Sequence, residues 1–447
     1  MRGSPPASLL AAKRAPSVDL RRMRAVGYTR APREDRAQQV PAAVAEKLGV
    51  ILPGAGLDVQ RAAITDACRQ RGWELGDVFD DALGPDAGGR PNGYAQAMHE
   101  LEQGRAEVLI AAKLDTVCPW SELPDLLDRA ERQGWGLLAL DLTLDTLTAD
   151  GRAALRSLGA QARALPPSAL PMPPAELMFR VVGSDSPGRF EVGGRLELEQ
   201  LDRLLRAHGR GLADYGDILD FGCGPGRFLR QLRTMAPQAR LCGVDQDEEA
   251  IAWVRRELPF ADTAVAGPLP PLALPAGSFD LIIVFSVFTH LDEEYQDAWL
   301  AELRRLTRPG GTVVATVHGM FKWEVIRNGP MAGEPDLERM ATRLARRGFL
   351  HWRGDDWGTF FPDYYHTSFH RRDYIREHWA RWFDVVDVVE QQPNQPGHHA
   401  LLSGHDIVLL NARDQERGRA ALAARRARLR LPALARQIRE RLASRRR

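Results

Sequence analysis

The chain has 447 residues, roughly three times an ordinary single domain, so two or three separate cores are expected rather than one. Apolar residues make up 44% and charged residues 27%, which excludes the composition of a disordered chain and predicts that most of the sequence folds. The 60 basic and 59 acidic residues sum to a formal net charge of +1, but the two signs are unevenly distributed.

Cys68, Cys118, Cys223 and Cys242 are scattered without a C-x-x-C pair, so neither a zinc ribbon nor a disulfide framework is indicated and a reducing compartment is expected. No stretch approaches the roughly 18 apolar residues of a membrane helix. No signal-peptide core is visible near the start. A cytoplasmic location and no membrane span are therefore expected.

Residues 1–22 are expected to form a disordered leader. Short apolar runs then alternate with amphipathic helical patterns, the signature of a parallel α/β sheet. Strands are expected at Arg24–Arg30, Glu74–Phe79, Glu107–Ala112 and Gly136–Asp141, with helices at Asp58–Gln70, Tyr94–Leu101 and Glu122–Gln133. The strand Ala25-Val26-Gly27-Tyr28-Thr29-Arg30, the helix opening Asp58 to Ile64, Gly89-Arg90-Pro91 and Val108 to Asp115 resemble the catalytic domain of the resolvase/invertase serine recombinases. The resemblance covers about residues 24–160 and implies a serine that attacks a DNA phosphate, two residues after the first arginine. Pro32 stands there, no serine occurs between Ser17 and Ser121, and Thr29 lies on the opposite strand face by alternation. Thr116 and Pro119 replace two phosphate-clamping arginines, leaving Arg30, Arg90 and Asp115 of that set. The unit, residues 23–164, is expected to be inert in strand exchange and to serve as a scaffold, a homodimerisation module or a weak DNA contact.

Residues 165–174 read LPPSALPMPP, a stiff spacer that marks the expected domain boundary. A second alternating unit, 175–412, follows. Its expected strands are Asp217–Asp220, Leu241–Asp245, Phe279–Phe285 and Thr312–Val317, with helices at Gly226–Met235, Glu248–Glu257 and Asp292–Leu306. Val385–Glu390 and Asp406–Leu410 are expected to form an antiparallel edge hairpin. The fold class expected for the whole is α/β with two domains.

The first strand of this unit ends in Asp220 and Phe221 and runs into Gly222-Cys223-Gly224-Pro225-Gly226, a turn in which glycines let the backbone approach a ligand. Arg227 stands where a dinucleotide fingerprint needs its third glycine, and a phosphate loop's Gly-Lys-Ser/Thr ending is absent. What remains is a loop for a nucleoside without phosphate. Asp245 ends the next strand, 23 residues beyond Gly222, where a carboxylate can accept both ribose hydroxyls. With Gly277 to Ile282 leading into Phe285-Ser286-Val287-Phe288-Thr289-His290, and Leu306 to Thr312 beyond, the segment from about 174 to 413 resembles the class I S-adenosylmethionine-dependent methyltransferases, a Rossmann-like fold. The resemblance implies S-adenosylmethionine as cofactor, Asp220 near its amino group, Phe221, Gly222, Cys223, Gly224 and Gly226 against it, Asp245 on the ribose, and Gln246, Phe285 and Ser286 completing the site. The usual polar residue for the adenine amine is missing from Ala264-Val265-Ala266-Gly267-Pro268, which leaves backbone contact for the base.

Neither the Asn/Asp-Pro-Pro-aromatic motif of nucleobase amine methylation nor a Pro-Cys nucleophile follows Val284, which favours a small-molecule, glycan or natural-product acceptor over DNA. Nine of the 11 histidines fall between His290 and His405. His290, His318, His366 and His370 are the candidates for a base on the acceptor. No metal site is expected, because His398, His399 and His405 lack a ligand spacing. The aromatic residues Trp352, Trp357, Phe360, Phe361, Tyr364, Tyr365, Trp379 and Trp382 line an apolar acceptor pocket or form core.

From Arg413 onward 13 arginines meet three acids, a local net of 13−3=+10. The preceding residues hold 60−13=47 basic and 59−3=56 acidic groups, a net of −9. Leu431, Leu434, Ile438 and Leu442 recur at helical spacing on this basic tail, which suits nucleic acid, an acidic membrane surface, a partner groove or docking on its own protein. The competing overall reading is a DNA-binding protein in which the resolvase-like unit and the tail contact DNA.

Overall fold

Apolar residues on both faces of a strand call for cover on both sides, and β1 (Arg24–Arg30) buries its five central residues. The computed structural model describes residues 23–30, 57–81, 92–142, 144–165, 168–184, 186–327, 335–353, 362–391 and 403–413. The leader, Pro32, Arg90, Trp357, Phe360, Phe361, His398, His399 and the tail from 414 lie outside them.

After β1 come α1 (Leu57–Arg71), β2 (Glu74–Asp81), α2 (Gly93–Glu102), β3 (Val108–Ala111), α3 (Leu123–Gln133), β4 (Gly136–Ala139), β5 (Leu144–Asp145) and α4 (Ala149–Ala164). The sheet order is β2-β1-β3-β4-β5, parallel except for β4 with β5. All four residues of β3 and of β4 are buried. Gly134 closes α3 in the left-handed conformation at φ 78°, where glycine is unstrained.

Two helices that hydrophobic periodicity did not single out follow: α5 (Ala175–Val182) and the 21-residue α6 (Pro187–Ala207). Ser186 caps α6, accepting the Arg189 N–H at 3.3 Å, with Pro187 in the first turn. The helix is apolar on two sides because it has two neighbours. Leu196 and Val192 pack into the core of the first sheet, whereas Leu198, Leu201, Leu204 and Leu205 pack under the second. The proline-rich stretch is strapped down as well. The fully buried Arg230 guanidinium donates to the carbonyls of Leu170 at 3.0 Å and Pro171 at 3.1 Å and pairs with Glu191 at 2.8 Å.

The second sheet is built from β6 (Asp217–Phe221), α7 (Leu229–Met235), β7 (Arg240–Asp245), α8 (Glu248–Glu257), β8 (Ala261–Val265), β9 (Phe279–Val284), α9 (Glu293–Leu306) and β10 (Thr307–Val317). Then come α10 (Met320–Arg327), α11 (Leu337–Arg347), β11 (Phe349–Trp352), β12 (Thr367–His370), α12 (Arg372–His378), β13 (Asp384–Val389) and β14 (Asp406–Asn411). Seven strands run β13-β14-β10-β9-β6-β7-β8, and β11 with β12 forms a separate antiparallel pair. The expected terminal hairpin forms, and β14 is inserted between β10 and β13, antiparallel to both. Strand order reverses between β6 and β9, so a crevice opens at their carboxyl ends, the position at which doubly wound sheets take ligands.

Candidate functional site

The expected helix start at Gly226 is displaced to Leu229 because the three glycines before it are left-handed, at φ 85°, 50° and 82° for Gly222, Gly224 and Gly226. Side chains are excluded there too: a β-carbon would run into Val287 at Gly222, Val181 at Gly224 and Leu258 at Gly226. The turn is tied to the neighbouring strand by the N–H groups of Gly222 and Cys223, which donate to the Val244 carbonyl at 2.7 and 3.1 Å. Cys223 is buried and its thiol is pushed up by desolvation and nearby carboxylates, so it is a packing residue and no nucleophile.

Asp245 reaches back to this turn. Its Oδ2 accepts the Gly224 N–H at 2.7 Å and its Oδ1 accepts the Asp247 N–H at 2.9 Å, which fixes the carboxylate plane. Asp220, one strand away, is 2% exposed, and its Oδ2 has no hydrogen-bond partner among the described residues. Burial first, and the Asp245 charge second, push its pKa up to about 8, with Arg227 opposing.

Gln246 accepts a 2.5 Å hydrogen bond from the Tyr364 hydroxyl, and Tyr364 stacks on Tyr295 at 4.7 Å between centroids. Ser286 has a φ of 58°, and among the described residues no other non-glycine is left-handed. Its N–H donates to Thr316 Oγ1 at 2.8 Å and its carbonyl accepts the Tyr365 hydroxyl at 3.3 Å, so the strained turn is held from two sides. Phe285 packs edge-on against Phe228 at 4.9 Å.

Of the four histidine candidates, the fold brings His290 and His318 together, with ring centroids 5.8 Å apart. His290 stacks on Tyr365 at 4.3 Å. His405 joins them, 4.9 Å from His318 and with its Nδ1 3.4 Å from Thr316 Oγ1. Sequence order concealed His405 as a neighbour, because it enters only through insertion of β14 beside β10. Burial pushes the His290 pKa down to about 3 and those of His318 and His405 well below the ordinary value, so the three are neutral and weakly basic. His366 is tied by its backbone N–H to the His290 carbonyl at 2.9 Å, while its Nε2 lies 3.0 Å from the Asp363 carbonyl oxygen. His370 departs from the expectation: it is turned into the core, where its Nε2 pairs with Gln296 Oε1 at 2.9 Å among Phe349 and Trp379. The aromatic residues divide likewise: Tyr364 and Tyr365 pack at the edge of the core and reach Gln246 and the Ser286 carbonyl, while Trp352, Trp379 and Trp382 are in cores. No group of His, Cys, Asp or Glu among the described residues is arranged to hold a metal.

The recombinase-type positions are differently placed. Arg30 exchanges backbone hydrogen bonds with the Gln60 amide at 3.2 and 2.9 Å. Asp115 accepts a hydrogen bond from Ser184, Lys113 donates to the Gly183 carbonyl at 3.3 Å, and Arg189 pairs with Asp141, whose other oxygen accepts the Leu114 N–H at 3.0 Å. The segment leading into α6 therefore fills the acidic corner where the surviving Asp115 stands.

Residues 218–311 match the methyltransferase domain family and residues 52–164 match the N-terminal domain of resolvase. The chain is thus similar to two domain families, each over part of its length. The chain is 32% identical over 115 residues to a Mycolicibacterium smegmatis protein named "Probable S-adenosylmethionine-dependent methyltransferase", covering 26% of this chain and 43% of that one. It is 37% identical over 102 residues to trans-aconitate 2-methyltransferase of Azoarcus sp., covering 23% of this chain and 39% of the relative. It is 26% identical over 171 residues to ribosomal RNA small subunit methyltransferase C of Pseudomonas entomophila, covering 37% and 48%. The chain thus spans less than half of these curated relatives, and the acceptors in their names differ in kind.

Proposed function

We propose that the protein is an S-adenosylmethionine-dependent methyltransferase acting on a small-molecule, glycan or natural-product acceptor, with its resolvase-type domain serving as a scaffold. The orphaned Oδ2 of Asp220 carries the reading: a buried carboxyl beside a three-glycine turn fits a ligand that presents a cation. When bound, S-adenosylmethionine supplies an electrophilic methyl group on a cationic sulfur. The chain's part is alignment and exclusion of water. Asp220 would hold the amino group, Asp245 the ribose hydroxyls, the turn from Phe221 to Gly226 the cofactor's body, and Phe285 and Ser286 the side facing the acceptor. Free cysteines, among them the buried Cys68, Cys223 and Cys242, suit a reducing cytoplasm.

Support for the scaffold role comes from α6, which packs on both sheets, and from Ser184 seated on Asp115. A second reading, nucleic-acid contact, draws on the +10 tail and on the resolvase match. Incubation of the full chain with methyl-labelled S-adenosylmethionine and a fractionated bacterial extract separates the two. Label is expected in the low-mass fraction; label confined to RNA or DNA would replace the first reading with the second.

A further inference from the structure

We propose that Lys322 forms the acceptor subsite and that the methyl acceptor is a small carboxylic acid methylated on a carboxylate oxygen. The proposal rests on the methyl-transfer reading and gives it a substrate class.

Lys322 stands in α10, just beyond β10, and makes no hydrogen bond or ion pair with any described residue. It is nonetheless drawn inward. Its Nζ lies 3.6 Å from where a β-carbon on Gly404 would sit, and its charge acts on both His318 and His405. Burial and the Arg189 charge push its pKa down to about 8, which leaves it chiefly as ammonium at neutral pH. The neighbouring cations are already matched: Arg189 by Asp141, and Arg227 by Glu197 at 2.6 Å. The nearby acid, Asp406, is turned to Gly319 and accepts the Gln391 N–H at 2.8 Å. A partly buried ammonium without a counter-charge is completed by an anion.

Gly404, which the Lys322 Nζ approaches, is followed by His405, which borders the methyl-donor crevice. The ring of His405 lies 5.6 Å from Phe285, and its Nδ1 approaches the Thr316 hydroxyl that holds the N–H of Ser286. An acid seated on Lys322 therefore has one flank against the turn at which β9 ends. The histidines on that flank are neutral and weakly basic, so they are poorly matched to removing a proton at neutral pH. A carboxylate has no proton to lose. Its oxygen lone pair forms the new C–O bond as the C–S bond breaks, the electron pair of that bond stays on sulfur, and a methyl ester and S-adenosylhomocysteine result without proton transfer. Lys322 would hold the acid in place, and neutral His318 and His405 would form the dry wall beside it.

The test is thermal unfolding of the full chain with saturating S-adenosylhomocysteine, titrated with propionate, malonate, glutarate and trans-aconitate, with the matched amides, and with inorganic phosphate. The expected result is a rise in unfolding temperature with at least one carboxylate and none with its amide, lost by at least tenfold in apparent affinity in Lys322→Gln and kept in Lys322→Arg. The S-adenosylhomocysteine shift itself stays in both variants, which shows that they fold. A nucleoside shift without any carboxylate shift, a response to phosphate alone, or an undiminished carboxylate shift in Lys322→Gln would overturn the proposal. Absence of the nucleoside shift itself would instead overturn the methyl-transfer reading on which it stands.

Discussion

The backbone N–H of Gly224 donates to Oδ2 of Asp245 at 2.7 Å, joining the glycine turn after β6 to the acid that ends β7. Two stretches 21 residues apart in sequence are thereby locked into one surface before any ligand arrives. The lock needs an amide at position 224 and tolerates no side chain there. At φ 50° a substituent would be strained and would also meet Val181 of α5. Gly224→Val is expected to leave a folded protein that binds S-adenosylhomocysteine at least ten times more weakly, measured by calorimetry with circular dichroism as the control for folding.

Gly226 tests the same turn from the stability side. Its φ of 82° and the nearness of Leu258 mean that Gly226→Ala should lower global stability by about 1–3 kcal/mol in chemical denaturation. A neutral substitution would show that the turn relaxes freely.

Asp220 links ligand binding to pH. Its folded-state pKa of about 8 lies above the roughly 3.9 of an unfolded aspartate, so the folded chain holds the extra proton. The corresponding stability is fully present below about pH 4 and is lost as pH rises through 8. Asp220→Asn should flatten the pH dependence of unfolding across this window. A cationic ligand favours the ionised form, so S-adenosylmethionine binding below pH 8 should release a proton, seen as a buffer-dependent calorimetric enthalpy in the wild type and absent from the asparagine variant.

Arg189 and Asp141 test the seam between the two sheets. Their side chains are 21% and 6% exposed, and removing the arginine leaves a buried carboxylate without its partner. Arg189→Ala should cost about 3–5 kcal/mol in denaturant unfolding, and a second change, Asp141→Asn, should recover part of it. Additive losses would show that the pair is uncoupled. The missing serine, replaced by Pro32, predicts that the resolvase-type domain forms no covalent adduct with duplex DNA, assayed by denaturing electrophoresis of labelled DNA.

Much of this architecture was legible from residue pattern. The alternation of apolar runs located the main strands of both sheets, and Asp220, the three glycines and Asp245 stood out because a turn with close backbone approach admits few residue types. The glycines also misled in one respect: their left-handed backbone delays α7 until Leu229, where periodicity placed a helix from Gly226. The histidine cluster was only half legible. His405 meets His318 through the insertion of β14 beside β10, a long-range pairing that leaves no local signal. His370 resembled its neighbours in sequence, yet strand alternation on β12 sends it to Gln296 in the core. The dual allegiance of α6 was hidden because a helix apolar on two sides has no single stripe to read.

The central claim is that the glycine turn, Asp220 and Asp245 together form a site for S-adenosylmethionine. Isothermal titration of the full chain with S-adenosylhomocysteine tests it most directly. One molecule bound per chain, with affinity falling at least tenfold in Asp245→Ala, is the predicted result; no binding by the wild type, or equal affinity in Asp245→Ala and Gly224→Val, would contradict it.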